Sequence, residues 1–370
     1  MSKIEWTERS WNPIIGCAIV SPGCTNCYAM RMAHRLGQNP ATPAYAGLTR
    51  VVNDKPVWTG EIRLAGRDAI TAPMKRKTPT TWFVNSMSDL FADGVEDDWI
   101  DAVFAVMALT PHHTYQVLTK RPDRMRDYAS HVSLERLATA FGQGALPITR
   151  NDVYRAFGMA KKFSYDPPTP HLPLRNVWLG VSAEDQRRAD ERIPILLDTP
   201  AQTRFVSIEP MLGRISLVSD MGGIQWMGGQ RGCGGTHVGT GAPGCPRTPH
   251  HHHDARCRPG LDWVIVGGES GPAARPMHPD WPRQIRNECH AAGVPFFFKQ
   301  WGEWAAHIDR DIDDDDWRAD YGRLETGRYR WLNLEGGIGF HGDRFHVMQR
   351  VGKKAAGRLL DGLQHDGMPG

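Results

Sequence analysis

Six short apolar runs alternate with helical patterns along most of the chain, and this alternation restricts the fold more than any other feature. The runs are Thr81–Met87, Thr114–Lys120, Asn176–Ser182, Thr203–Glu209, Asp262–Glu269 and Pro295–Trp301. They are rich in β-branched and aromatic residues and nearly continuous in apolar character, the pattern of strands buried on both faces. Between them, DDWIDAVFAVMALTP, DQRRADERIPILLDT and HPDWPRQIRNECHAAG place apolar residues three and four apart, the period of a helix that buries one face. An earlier stretch, TERSWNPIIGC, reads as a strand running into a loop and brings the strand candidates to seven. Strands that alternate with helices in this way pair in parallel, with helices covering the sheet. The predicted class is α/β: a partial or near-complete (β/α) TIM-type barrel of parallel strands over residues 1–304, followed by an extension over 305–370.

Two stretches break the rhythm and read as loop insertions. One, at about 131–174, holds a weak helical pattern (NDVYRAFGMAKKF) and the Pro-rich DPPTPHLP. The other, at about 221–259, is rich in Gly, Cys and His. After Trp304 the pattern fades. The acidic run DRDIDDDDW reads as solvated surface, and a last helix is expected over Lys353–Leu363.

Composition narrows the function classes. The 44 basic and 41 acidic residues give a net charge of +3, which permits a nucleic-acid partner without arguing for one. The first residues are polar and charged, and no run approaches a membrane span, so a cytoplasmic protein without a membrane partner is expected. Seven cysteines cannot all pair, and in a reducing compartment clustered thiols read as metal ligands rather than disulfides.

In parallel α/β folds the reactive groups collect at the C-terminal ends of strands. Here those ends carry Asn85, Ser86, Ser88 and Asp89, then Lys120 and Arg121, Ser182 and Glu184, Glu209, Gly267 to Ser270, and Lys299 to Trp301. Charges avoid burial unless paired, so polar groups at nearly every strand end predict a ligand pocket.

The densest local signal is GCAIVSPGCTNCYA. Six residues separate Cys17 from Cys24 and two separate Cys24 from Cys27. The C-x-x-C pair brings two thiolates to one centre from a tight turn, and Cys17 joins them from a strand end. Three thiolates suit a four-iron cluster with one open iron. A structural zinc site wants four ligands, and His34 lies two turns into the next helix. Iron–sulfur and zinc loops share such spacings, so both readings stand on the local motif.

The triplet after the first strand, the aromatic Tyr28 directly behind it and the β/α alternation resemble the radical S-adenosylmethionine superfamily, although the first gap departs from its commonest C-x3-C-x2-C spacing. The opening NP…GC…C..CYA and LTKRP are similar to its spore photoproduct lyase-like branch. The motifs WNP..GC, SM.DLF, LTKRP, VWLGVS, VGGESG and FFKQWG resemble a phage- and prophage-associated family of unknown function. The resemblance implies a [4Fe–4S] cluster on Cys17, Cys24 and Cys27, an open iron that binds S-adenosylmethionine, and reductive cleavage to a 5′-deoxyadenosyl radical. That radical abstracts hydrogen from an unidentified substrate, for which a nucleic-acid base is the expected class, and a flavodoxin or ferredoxin supplies the electron. The protein's part is to bind, orient and exclude solvent.

By position, the resemblance puts Tyr28 beside the adenine. Ser86, Ser88 and Asp89 fall at the amino group, without the usual Gly-Gly-Glu, and Lys120 at the carboxylate. Ser182 and Glu184 fall at the ribose. Glu209 and Glu269 are substrate-side candidates and, with Lys120, the catalytic ones. Their alternative role is in structural ion pairs with Arg204 or Arg275. Gly267 and Gly268 form a turn that lets backbone approach adenosine or substrate.

In the second insertion Cys233, Cys245 and Cys257 lie near His237 and His250 to His253. With almost no apolar residues after Met227, the segment has no core of its own. A zinc site that uses the three thiolates and His250, a second cluster, and a loose loop all remain open. Cys289 reads as a small buried apolar residue on a helix. The competing account of the whole chain is a zinc-binding, phage-type nucleic-acid-binding protein without redox chemistry, which uses both cysteine groups and the basic strings MKRK and TKRP.

Overall fold

The computed structural model describes residues 4–142, 172–218, 226–227, 260–311, 328–337 and 344–370. The helical pattern NDVYRAFGMAKKF, most of the acidic run, and the candidate metal site at Cys233, Cys245, Cys257 and His250 lie outside them.

Fourteen strands are found among the described residues. Up to the first crossover they are β1 (Arg9–Trp11), β2 (Ile14–Ile15), β3 (Thr49–Val52), β4 (Lys55–Trp58) and β5 (Arg63–Leu64). The six predicted runs form β6 (Thr81–Val84), β7 (Thr114–Thr119), β8 (Val177–Ser182), β9 (Thr203–Ile208), β10 (Trp263–Gly267) and β11 (Phe296–Gln300). The last three are β12 (Trp304–Asp311), β13 (Tyr329–Asn333) and β14 (Arg344–Arg350). The main helices are α1 (Tyr28–Gly37), α2 (Asp97–Leu109), α3 (Pro122–His131), α4 (Gln186–Asp198) and α5 (Asp280–Ala292). Seven strands make one sheet in the order β1-β6-β7-β8-β9-β10-β11. The fold is α/β, of the partial TIM-barrel type expected from the alternation. No helix among the described residues is long and apolar enough to cross a membrane.

The chain divides into two compact units, Met1–Val181 with Asp198–Arg204, and Ser182–Leu197 with Phe205–Gly370. In the first, β1 pairs with β6, β6 with β7, and β7 with β8, all parallel. Val84, Tyr115, Val117, Leu179 and Val181 are buried, as near-continuous apolar strands require. Helix α2 is buried from Ile100 to Ala108. Its one acid there, Asp101, accepts the Tyr128 hydroxyl at 2.7 Å and pairs with Arg136 at 3.0 Å. β3 and β4 form a hairpin where the sequence pattern predicts no strand. Its turn residues, Asn53 and Asp54, take φ of 49° and 58°, the left-handed conformations that two-residue hairpin turns demand and that Asn and Asp tolerate.

In the second unit β9, β10 and β11 pair in parallel, with Phe205, Val206, Val264, Ile265 and Phe298 fully buried. The extension holds an antiparallel sheet in the order β12-β14-β13, where the sequence pattern had faded. The helix expected over Lys353–Leu363 stops at Ala356. Gly357, Asp361 and Gly362 take φ of 70°, 52° and 76°, which a right-handed helix cannot continue through. The chain beyond turns onto the sheet, where Trp263 Nε1 donates to the Gly367 carbonyl at 2.7 Å.

Candidate functional site

The cysteine loop is placed by its backbone. After β1, the short β2 pairs antiparallel with β5 and delivers Gly16, whose φ is 91° and where a Cβ would run into the Glu61 carbonyl. Only glycine fits there, and Cys17 leaves the strand immediately after it. Pro22–Cys24 forms one 3-10 turn. Cys24 N donates to Ser21 O at 2.9 Å and Cys27 N to Cys24 O at 3.2 Å. Cys27 caps α1, which begins at Tyr28. The three thiols thus come from a strand exit, a tight turn and a helix start.

All three are half-buried. Cys17 and Cys27 pack against an apolar cluster that includes Ile15, Met30, Leu48, Trp58 and Met87. Burial pushes the Cys17 thiol up from 9.0 to about 12; Asp89 and the other two cysteines add to the shift and Arg121 opposes it. Burial also raises Cys27, with Cys24 adding, while the Ala29 and Met30 amides and the Lys120 charge pull it down. The sulfurs therefore lie within one another's field, with two cations at hand.

A pH dependence follows. In the metal-free chain the native state favours a protonated Cys17, so that part of the stability is complete below about pH 9 and is lost as pH rises towards 12. The thermal midpoint of the metal-free protein should fall more steeply above pH 9 than that of Cys17→Ser. Parallel curves would show that Cys17 ionises as an ordinary thiol.

The strand ends of this unit gather around the loop. Asn12 Oδ1 accepts from the Ser86 hydroxyl and the Met87 amide, both at 3.1 Å. The Ser88 hydroxyl donates to Ile14 O at 2.7 Å, and the exposed Tyr28 donates to Ser86 O at 2.8 Å. Asp89 uses both oxygens. Oδ1 accepts from the Phe91 amide at 3.0 Å and the Thr119 hydroxyl at 2.7 Å. Oδ2 accepts from the Lys120 amide and the Arg121 guanidinium, both at 2.9 Å. Arg121 also reaches the Ala18 carbonyl at 3.4 Å. Of the residues read from the sequence, Tyr28, Ser86, Ser88, Asp89 and Lys120 come together with the triplet. Asn12, whose amide oxygen fixes the exit of β6 against the loop, is not among the residues read from the sequence; its signal is the WNP string. His34 contacts Thr49 Oγ1 at 3.2 Å and Gln38 at 2.9 Å.

The second unit has polar groups of its own. Ser182 donates to the Glu209 carbonyl at 3.3 Å. Glu184 is fully buried and pairs with Arg192 at 3.1 Å. Glu209 pairs with Lys299 at 3.1 Å and accepts from Ser207 at 3.2 Å, so its cation is Lys299 rather than Arg204. Arg204 instead donates to the Thr199 carbonyl at 2.7 Å. Glu269 takes Arg275 through both oxygens, at 2.6 and 2.9 Å, the pair that stood as the alternative to a substrate-side role. The glycines of VGGESG have a packing cause: a Cβ on Gly267 would meet the Glu209 carboxylate, and one on Gly268 the Trp301 carbonyl. Gly268→Ala should therefore cost about 1–3 kcal/mol in denaturant unfolding; a neutral effect would show that the turn relaxes freely.

Among the described residues, His278, Asp280 and His346 also form a group whose ligand-type atoms all lie within 4.8 Å of one another.

Residues 1–369 match the family described as "Protein of unknown function (DUF5131)". No curated protein and no solved structure matches the chain.

Proposed function

The chain belongs to the DUF5131 family, and we propose that it is an iron–sulfur enzyme that reductively cleaves S-adenosylmethionine, with Cys17, Cys24 and Cys27 as the cluster ligands. The observation that carries this reading is the convergence of three thiols, with no fourth thiol beside them among the described residues, next to Arg121 and Lys120. The donor set fits the group. One zinc ion bonded to sulfur at about 2.3 Å holds its thiolates roughly 3.8 Å apart. Among the described residues the trio within 4.8 Å is His278, Asp280 and His346, and the thiols form no such trio. A cluster spreads its thiolates over separate irons and suits the wider set. When bound, it supplies the electron that splits S-adenosylmethionine into methionine and the 5′-deoxyadenosyl fragment.

The chain's own residues have separable roles. Deprotonated thiols beside an apolar wall need compensating charge, and Arg121 and Lys120 supply it. Lys120 is also the cation for the methionine carboxylate of S-adenosylmethionine. Asp89, with four donors already on its oxygens, is a positioning residue that holds Arg121 against the loop. Tyr28, tied to Ser86, presents an exposed ring for adenine. Gly16 and Asn12 fix where the loop leaves the strands. A nucleic-acid base as substrate rests on the resemblance to the lyase-like branch, and a small ferredoxin or flavodoxin is the fitting electron donor. A cytoplasmic setting, where thiols stay reduced, goes with this reading.

Anaerobically reconstituted, reduced protein should show an iron–sulfur paramagnetic resonance signal that changes when S-adenosylmethionine is added. Stoichiometric zinc with no iron would instead support the zinc-binding, non-redox account.

A further inference from the structure

We propose that His278, Asp280 and His346 bind one divalent transition-metal ion, of the zinc or iron(II) class, that ties the start of α5 to the C-terminal antiparallel sheet. The proposal is independent of the cysteine site and concerns the second unit alone.

The three side chains come from two separate pieces of backbone. His278 precedes α5, Asp280 is its first residue, and His346 is on β14. Pairing of β14 on both sides, with Asp309 and with Leu332, fixes the position of His346. Both histidines are fully buried. Their rings meet edge to face, with centroids 4.4 Å apart and an interplanar angle of 83°, an arrangement that lets two ring nitrogens aim at one point.

Asp280 Oδ2 lies 3.9 Å from His278 Nδ1 and 3.6 Å from His346 Nε2. Two ligands of one tetrahedral ion with bonds of about 2.1 Å stand roughly 3.4 Å apart, so small inward movements complete the set. The other carboxylate oxygen, Oδ1, takes Arg283 at 3.0 Å, which turns Oδ2 towards the rings, as outer partners of metal ligands do. His278 Nδ1 accepts the Asp280 amide at 3.2 Å, so it is the ring's unprotonated nitrogen and carries a lone pair. An ion would take over that lone pair and leave the amide as one of the unpaired N–H groups usual in a first helical turn. Two imidazoles and one carboxylate suit zinc and iron(II) and not calcium or magnesium. An ion bound by the folded chain and not by the unfolded one raises stability by mass action.

The test uses the whole protein with its accessible thiols alkylated, so that sulfur ligands do not compete, and cobalt(II) as a spectroscopic probe. One equivalent should bind with visible ligand-field bands and no sulfur-to-cobalt charge transfer, and zinc should raise the thermal midpoint. Both effects should be lost in His346→Gln, and in Asp280→Asn, a near-isosteric change that serves if the first variant does not fold. Failure of cobalt to bind the alkylated wild-type protein, or equal binding by wild type and Asp280→Asn, overturns the proposal.

Discussion

Replacing Cys24 with alanine should, on the proposed function, reduce S-adenosylmethionine cleavage to the level of a protein-free control and remove the cluster's iron, while the fold is kept. Cys24 ends a 3-10 turn, is half-buried, and lies 3.9 Å from the Ser21 hydroxyl. Its sulfur carries little packing, so its loss should leave the circular dichroism spectrum unchanged. Cys289 supplies the contrast. It is fully buried on α5, in contact with Met227 at 3.7 Å, and burial raises its thiol. Cys289→Ala should cost some stability and no iron. Iron that survives in Cys24→Ala, or disappears in Cys289→Ala, would mean that the ligands have been misassigned.

The second large effect is on folding. Asp89→Ala strips four donors of their acceptor and leaves the Arg121 guanidinium, 10 % exposed, without its carboxylate. Breaking a buried pair from one side costs about 3–5 kcal/mol, a large share of the ~5–15 kcal/mol that holds a domain together. Denaturant midpoints should shift accordingly. Asp89→Asn should fall between, since its amide oxygen still accepts but the charge is gone. Lys at position 121 should not substitute for Arg, because one ammonium cannot span the carboxylate and the Ala18 carbonyl as the planar guanidinium does. A shift below about 1 kcal/mol in Asp89→Ala would refute a buried, charge-paired anchor.

The parallel strands were legible in the sequence because burial on both faces favours apolar, β-branched or aromatic residues, as in β6 and β10. The triplet was legible because thiol spacing is set by local backbone. The antiparallel sheet of β12 to β14 was not. Strands such as Tyr329–Asn333 mix Arg and Tyr with Trp and Leu, and their pairing depends on distant partners. Nor did spacing show how polar groups pair. Glu269, read first as a substrate-side group, pairs with Arg275, six residues on, and Glu209 pairs with Lys299 on another strand. The local Ser-x-Ser-Asp string after β6 read as a ligand contact, whereas Asp89 is occupied by Thr119 and Arg121 from the end of the neighbouring strand. His278, Asp280 and His346 escaped notice because an isolated H-x-D says little until a distant strand brings up the second histidine.

The central claim is tested most directly by incubating the anaerobically reconstituted, chemically reduced protein with S-adenosylmethionine and measuring 5′-deoxyadenosine and methionine by chromatography. The account predicts both products, in equal amounts and dependent on Cys17, Cys24 and Cys27. Fully loaded, reduced protein that leaves S-adenosylmethionine intact, or protein that takes up zinc and no iron, would contradict it.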